Sequence, residues 1–88
     1  MIDVKINYIN NSVDDTATLV LLNQTDNIIL DQSTRFTLST RDSFLVATGI
    51  IINNTNSDKI IVLRVDLPVG GDITLNNNSM SKIRFVKI

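Results

Sequence analysis

The 88-residue chain contains no histidine, no cysteine and no tryptophan. Without histidine it lacks the usual neutral-pH base, the commonest metal ligand and the serine–histidine pair of many hydrolases. Without cysteine it can form neither a disulfide nor a thiolate metal site. These absences predict a protein that is not an enzyme, with no catalytic residue, no bound metal and no cofactor.

Glutamate is also absent, and alanine occurs only as Ala17 and Ala47. The chain is instead rich in isoleucine, valine, threonine and asparagine, which favour strands and turns over helices. Nine acidic residues against eight lysines and arginines leave a net charge of −1. The composition therefore predicts an all-β protein without the strongly basic surface that nucleic acids attract.

The two longest apolar runs, Phe44–Ile52 and Ile60–Leu67, flank a polar segment at 53–58. Short polar side chains in that segment favour a turn, so the runs predict a β-hairpin at the centre of the fold. Placing Ile52 opposite Lys59 collects most of the large apolar side chains on one face. That predicted core face comprises Phe44, Val46, Thr48, Ile50, Ile61, Leu63, Val65 and Leu67.

The opposite face of the predicted hairpin is apolar near the turn, although the outer face of a sandwich sheet normally meets water. One explanation is a contact with another subunit or a partner protein. The alternatives are a loop or the N-terminal segment folded over this face, or a hairpin in the middle of a closed barrel. On the first explanation the candidate interface residues are Leu45, Ile51, Ile60, Val62, Val86 and Ile88.

Alternating polarity and turn residues predict about eight strands in one domain over residues 1–88. The strands are expected at 2–9, 16–22, 27–30, 34–39, 44–52, 60–67, 72–75 and 80–88. Side chains expected on their inner faces include Ile2, Val4, Ile6, Tyr8, Phe36 and Leu38. We expect a small antiparallel β-sandwich of seven or eight strands, immunoglobulin-like or jelly-roll-like, with a small β-barrel as the alternative.

The last predicted strand has apolar residues that would point to both of its faces. Ile83 and Phe85 favour the core, whereas Val86 and Ile88 would then point the other way. A β-bulge near Phe85 would resolve the conflict. Packing of Val86 and Ile88 on a neighbouring subunit is the alternative.

Two parts of the chain resemble each other in sequence. Residues 21–30 match residues 51–62, and residues 35–45 match residues 72–86, with gaps in the predicted loops. Two units at roughly 17–46 and 47–86 would each supply a hairpin and a second strand pair. A restricted alphabet of asparagine, threonine and isoleucine is the alternative source of such matches.

Candidate sites for chemistry are few. Aspartates in predicted turns usually bend or cap the backbone, and the EF-hand spacing is absent. The nominal acid–base pairs are Asp14 with Asp15 and Asp66 with Asp72, and the nominal calcium loops are 10–15 and 53–58. We interpret all of them as turn-forming residues.

Nucleic acid and membranes are not expected partners. The cations are balanced by aspartate, and the aromatic side chains fall mostly at core parity, which removes the stacking surface that single strands need. These cations include Lys59, Arg64, Lys82, Arg84 and Lys87, and the aromatics are Tyr8, Phe36, Phe44 and Phe85. No apolar run has the length of a membrane span, and no secretion signal is visible, so we expect a cytoplasmic protein or one assembled inside a cell.

The Asn-x-Thr turns followed by Leu67-Pro68-Val69-Gly70-Gly71-Asp72-Ile73-Thr74-Leu75 resemble those of small immunoglobulin-like sandwiches among the accessory proteins of bacteriophage virions, including capsid decoration proteins. The resemblance implies a non-enzymatic role in which the protein stabilises or decorates a particle. Its partner would be protein, either further copies in a homo-oligomer or a capsid lattice, and its location the virion. The alternative function is a carbohydrate-binding sandwich, but such modules expose tryptophan or tyrosine, and Tyr8 has core parity.

Overall fold

The computed structural model describes residues 1–11, 13–51, 57–70, 72–75 and 81–86. Over these residues the protein is all-β, as the composition predicted, and it contains no helix. The seven strands are β1 (Ile2–Asn10), β2 (Asp15–Asn23), β3 (Ile28–Thr37), β4 (Asp42–Gly49), β5 (Ile61–Asp66), β6 (Ile73–Leu75) and β7 (Lys82–Phe85).

The strands form two antiparallel sheets. In sheet A, β1 pairs with β4 on one side and with β7 and then β6 on the other. Sheet B has the order β3-β2-β5. The described strands therefore make a small β-sandwich of two open sheets, which confirms the predicted fold class and excludes the closed barrel that was its alternative.

The core lies between β1 and β4 of sheet A and β2 of sheet B. Its buried apolar residues are Ile2, Val4, Tyr8, Ala17, Leu19, Leu21, Leu45 and Ala47. They sit at alternate positions of their strands, as expected where one face of a sheet is covered. The inner face predicted for β1 is confirmed, and Ile6 completes it as a partly buried residue.

The prediction of a central β-hairpin was wrong. The apolar runs predicted to pair with each other lie in different sheets, because β4 pairs with β1 and β5 pairs with β2. The predicted register, in which Phe44 faced Leu67, is therefore wrong as well. Residues 50–60 carry the chain from one sheet to the other, and residues 52–56 of this connection lie outside the described part.

The face of β4 that points inward is also the reverse of the prediction. Leu45, Ala47 and Gly49 face the core, whereas Phe44 and Val46 are exposed. The sheets approach closely here, since a Cβ atom on Gly49 would lie 2.8 Å from the Leu30 Cβ. A side chain at position 49 therefore does not fit without movement of the neighbouring strand.

The inner face of β5 was predicted correctly. Ile61, Leu63 and Val65 pack against the core, together with Leu67 just beyond the strand. The chain then breaks where predicted, in a turn closed by the Gly70 N–H donating to the Leu67 carbonyl at 2.9 Å. Gly70 has φ +84°, which favours glycine there.

β3 is one long strand where two short ones were expected. Its pairing with β2 slips between Leu21 and Leu22, so that Leu30 forms the bulge. Arg35 and Ser33, which pair with core residues of β2, then have inward parity, and Phe36 points outward and is 63% exposed. The inward orientation predicted for Phe36 and Leu38 is wrong, since both are exposed.

The predicted repeat does not appear in the strand pairing. β2 and β3 form a hairpin within one sheet, whereas β4 and β5 belong to different sheets. A unit at 47–86 therefore contains no hairpin equivalent to that of 17–46 among the described strands.

The prediction of a β-bulge near Phe85 was also wrong. β7 pairs with β1 without interruption from Lys82 to Phe85. The pairing continues beyond the strand, because the Met1 ammonium donates to the Val86 carbonyl at 2.6 Å and the Val86 N–H donates to the Met1 carbonyl at 2.8 Å. The regular ladder places Ile83 and Phe85 opposite the buried residues of β1, as their parity predicted, but leaves them exposed.

Candidate interaction surfaces

The outer face of sheet B carries an apolar row across all three strands. Ile29 pairs with Leu22, and Leu22 pairs with Val62, so the three side chains share the outer face. Ile60 lies two residues before Val62, immediately ahead of β5, and extends the row. Ile29 is 56% exposed and Ile60 is 60% exposed. We call these four residues, Leu22, Ile29, Ile60 and Val62, the outer apolar patch.

Hydrogen bonds hold the outer apolar patch at the end of the sandwich where β2 turns into β3. The Ile60 N–H donates to the Thr25 hydroxyl at 2.7 Å, and the Gln24 N–H donates to the Ile60 carbonyl at 2.8 Å. The Lys59 ammonium lies 3.0 Å from Asp26. These bonds join the entry to β5 with the β2–β3 turn, and so fix the position of Ile60 beside the sheet.

The Asp26 carboxylate joins the β2–β3 turn to the segment that precedes β5. It accepts from Lys59 and from the Asn23 amide, the latter at 2.9 Å. The Lys59 ammonium and the Asn23 amide hold the pKa of Asp26 below its ordinary value of 3.8. Burial acts in the opposite direction but more weakly. The arrangement joins two segments of backbone, and we assign it a structural role.

The predicted interface residues do not share one face. Leu45 is 2% exposed and belongs to the core, so it is not available to a partner. Ile51 is partly buried against the core. Ile60 and Val62 do lie together, on the outer apolar patch. Val86 is partly buried beside Met1, and Ile88 lies outside the described residues.

The outward positions of Leu22 and Ile29 were not predicted from the sequence. Each follows directly after another apolar residue in a strand, Leu21 and Ile28 respectively. Because neighbouring strand residues point to opposite faces, an apolar pair places one side chain on each face. Leu21-Leu22 in β2 and Ile28-Ile29 in β3 carry this signal in the sequence.

One side of the sandwich is closed by side chains. At the β3–β4 side, the Ser33 hydroxyl donates to the Val46 carbonyl at 2.6 Å, and the Thr48 N–H donates to Asp31 at 2.8 Å. Outside this corner, Phe44 lies under two cations, with the Arg35 guanidinium 4.3 Å and the Lys5 ammonium 5.0 Å from its ring centre. The two hydrogen bonds occupy the Val46 carbonyl and the Thr48 N–H at the edge of β4, which would otherwise lack partners.

Among the described residues, no strand or side chain closes the other side of the sandwich. Between β5 of sheet B and β6 and β7 of sheet A runs an apolar groove of about 400 Å³, lined chiefly by Ile6, Leu63, Leu75 and Ile83. A second depression of about 540 Å³ continues towards Ile61 and Phe85. Phe85 is 72% exposed although it has core parity. We call this surface the open side.

Buried polar groups at the far end of the sandwich bond to one another. The Tyr8 and Thr37 hydroxyls are 2.5 Å apart, and the Asn10 amide donates to the Val13 carbonyl at 2.7 Å. Asp15 accepts from the Thr16 N–H at 2.7 Å. In the described chain, no buried side-chain polar atom lacks a hydrogen-bond partner. These hydrogen bonds connect β1 and β2 with β3 and with neighbouring backbone. The interpretation of 10–15 as turn-forming residues stays a prediction, and Ser12 lies outside the described residues.

Two further aspartates of the nominal acid–base pairs have partners of other kinds. Asp14 accepts from the Ser39 N–H at 2.7 Å, and Asp66 pairs with Arg64 at 2.9 Å. Among the described residues no group of three or more acidic side chains is placed to hold a metal ion. The loop at 53–58, apart from Ser57 and Asp58, lies outside the described part.

Of the aromatic residues, Phe36 and Phe44 point outward, contrary to the prediction, and Phe85 has core parity but is not covered. Tyr8 is 0% exposed, as expected, but Phe36, Phe44 and Phe85 are all exposed. Of the cations, Lys59, Arg64 and Arg84 each pair with an aspartate. The described residues include no helix with the length and hydropathy of a membrane span.

Comparison with protein-family models, curated proteins and solved structures finds no significant match to the chain.

Proposed function

We propose that the protein is a non-enzymatic structural module that assembles with other proteins, beginning with copies of itself, through the outer apolar patch. The observation that carries this proposal is the cross-strand row of Ile29, Leu22 and Val62 with Ile60 beside it. The outer face of an antiparallel sheet normally carries polar residues, whereas here a contiguous group on that face is apolar. Contiguous apolar surface is typical of interaction sites.

The surroundings of the outer apolar patch support an interface. Arg64 and Asp66 lie on the same face of β5 as Val62, further along the strand, so the patch has a charged border. An apolar centre with a polar rim is the usual anatomy of a protein–protein contact. The bonds of Ile60 and Lys59 to the β2–β3 turn order this surface before any partner binds, which lowers the entropy cost of association.

The finer proposal is an accessory protein of a virion, such as a capsid decoration protein, forming a homo-oligomer or docking on a lattice. Its support is the resemblance of the turns and of 67–75 to small sandwiches of that kind. The short length supports it as well, since 88 residues bury limited apolar surface alone and commonly gain burial by assembly. The carbohydrate-binding alternative loses support, because Tyr8 is fully enclosed.

The test is light scattering after size exclusion, over a hundredfold range of protein concentration. We expect the unmodified protein to form an oligomer, and Val62→Lys to shift it to the monomer while the β-type circular dichroism is retained. Val46→Lys is the matched control, since Val46 is 48% exposed on the outer face of the other sheet. Val46→Lys should leave the oligomer intact. A protein that is monomeric throughout, or a Val62→Lys variant that associates normally, contradicts the proposal.

A further inference from the structure

β5 is the edge strand that the described chain leaves without protection. Natural sheets guard their edges with short strands, bulges, inward-pointing charges or side chains that cap the edge. β6 and β7 have three and four residues. β3 has a bulge and an inward Asp31, and β4 has its edge bonded by β3 side chains. β5 has six residues, and no described strand or side chain bonds its outer edge.

The same strand borders the apolar groove. Leu63 of β5 faces Leu75 and Ile83 across the open side, where sheet A extends beyond the cover that β5 provides. A further strand beside β5 would therefore gain both backbone hydrogen bonds and apolar contacts. The closed β3–β4 side offers neither, which singles out β5 as the edge for strand addition.

The charges of β5 indicate the occupant. Its outer face carries Arg64 and Asp66, one of each sign and two residues apart, with exposed side chains. When a strand pairs antiparallel with its own copy about a two-fold axis, one residue lies opposite itself. If Val65 is the residue on the two-fold axis, Arg64 of each copy lies opposite Asp66 of the other. No other residue on the axis gives this pairing. A centre at Arg64 or Asp66 would place like charges directly opposite each other, which is destabilising.

We propose that β5 pairs antiparallel with β5 of a second copy, with Val65 on the two-fold axis. The pairing joins two three-stranded B sheets into one sheet of six strands. On the outer face, Arg64 and Asp66 of the two copies form an alternating cluster of four charges. On the inner face, Leu63 of each copy lies opposite Leu67 of the other. This inference rests on the proposed self-assembly but uses the strand edge and not the outer apolar patch.

The first test is a single engineered cysteine. Because the chain has no cysteine, a disulfide in a single-cysteine variant must join two copies. Directly opposite residues have Cα atoms about 4.5–5.5 Å apart, within the range that a disulfide spans. Val65→Cys should therefore form a covalent dimer under mild oxidation. Leu63→Cys is the matched control on the same face, and it should form about tenfold less, since it lies opposite Leu67 and not itself.

The second test exchanges the charges. Arg64→Asp or Asp66→Arg alone places like charges opposite each other twice, and should weaken the dimer about tenfold or more. The double variant R64D/D66R restores opposite charges and should recover the dimer. The matched control exchanges Asp3 and Arg84, a cross-strand pair on sheet A with similar exposure, and should not change association.

The outcomes separate the two proposals. If the protein associates and Val62→Lys abolishes this, but Val65→Cys does not cross-link and the charge variants have no effect, the β5 pairing is wrong and the outer apolar patch stands. If Val65→Cys cross-links and the charge exchange restores the dimer while Val62→Lys has no effect, the reverse holds. A monomer at every concentration overturns both.

Discussion

Gly49 marks a close approach of the two sheets. An added Cβ would lie 2.8 Å from the Leu30 Cβ and 3.0 Å from a Leu21 methyl carbon. The nearest atom belongs to the stem of a side chain and not to its flexible end, so the neighbouring strand would have to move. Crowding of this kind destabilises well-packed cores. The small side chain is therefore a condition for the inward face of β4.

Gly49→Ala should lower the free energy of unfolding by about 1–3 kcal/mol, because one extra methyl group overfills the space between the sheets. Chemical denaturation followed by circular dichroism measures this. Gly70→Ala is the comparison: nothing lies near its Cβ, and only the positive φ opposes the change, at about 1 kcal/mol. A Gly49→Ala variant as stable as the unmodified protein would show that the sheets are further apart.

The orientation of β4 shows that sequence alone could not determine which face of this strand points to the core. Alternation correctly separated Phe44, Val46 and Thr48 from Leu45, Ala47 and Gly49, but it did not say which set faces the core. Side-chain size favoured the first set. The deciding factor is the space left by Leu30 and Leu21 of the opposing sheet, which depends on long-range packing. In β1 and β5 the face with the larger apolar side chains is also the face with room for them between the sheets, and the predicted inner faces were correct.

Strand existence was more predictable than strand pairing. β1, β2 and β6 were expected within one or two residues of their observed bounds, because alternation and turn residues are local signals. The partner of β4 is not local. Residues 50–60 between β4 and β5 exceed the roughly two to five residues of a typical hairpin loop, and a connection of that length can cross between sheets. The four-residue turn Gln24–Asn27 instead joins paired strands.

The connection between the β2–β3 turn and β5 should be sensitive to acid. The folded state holds the pKa of Asp26 below 3.8, chiefly through Lys59. Its contribution to stability is therefore fully present above the unfolded value and is lost as the pH falls through the lower folded value. The thermal midpoint of the unmodified protein should exceed that of Asp26→Asn above about pH 5, and the difference should shrink below pH 3.8.

Lys59→Gln provides the control for this connection, because it removes the main cause of the lowered pKa while leaving the carboxyl group. Its thermal midpoint should follow the same pH course as that of Asp26→Asn. The double variant should add little to either single change, since both remove one interaction. A difference between Asp26→Asn and the unmodified protein that persists unchanged to pH 2 would assign the effect to something other than ionisation.

At the scale of the whole molecule, the sandwich leaves part of its apolar surface exposed. The residues that expose it differ in part from those expected. Ile60 and Val62 are on the surface, Leu45 is not, and Ile83 and Phe85 leave an inner face uncovered. The position of an uncovered face depends on how far one sheet extends past the other. That offset follows from the pairing of β7 with β1, which no local pattern specified.

Assembly also predicts that stability depends on protein concentration, because only folded chains associate and mass action favours the folded state. For a dimer, a hundredfold rise in concentration adds about 1.4 kcal/mol per chain, half of RT ln 100, which raises the thermal midpoint by about 5–10 °C in a domain of this size. Differential scanning fluorimetry or calorimetry over that range measures the slope. Val46→Lys should keep the slope, and Val62→Lys should flatten it. A midpoint independent of concentration in the unmodified protein would mean that its exposed apolar residues remain in water, and that self-association does not explain them.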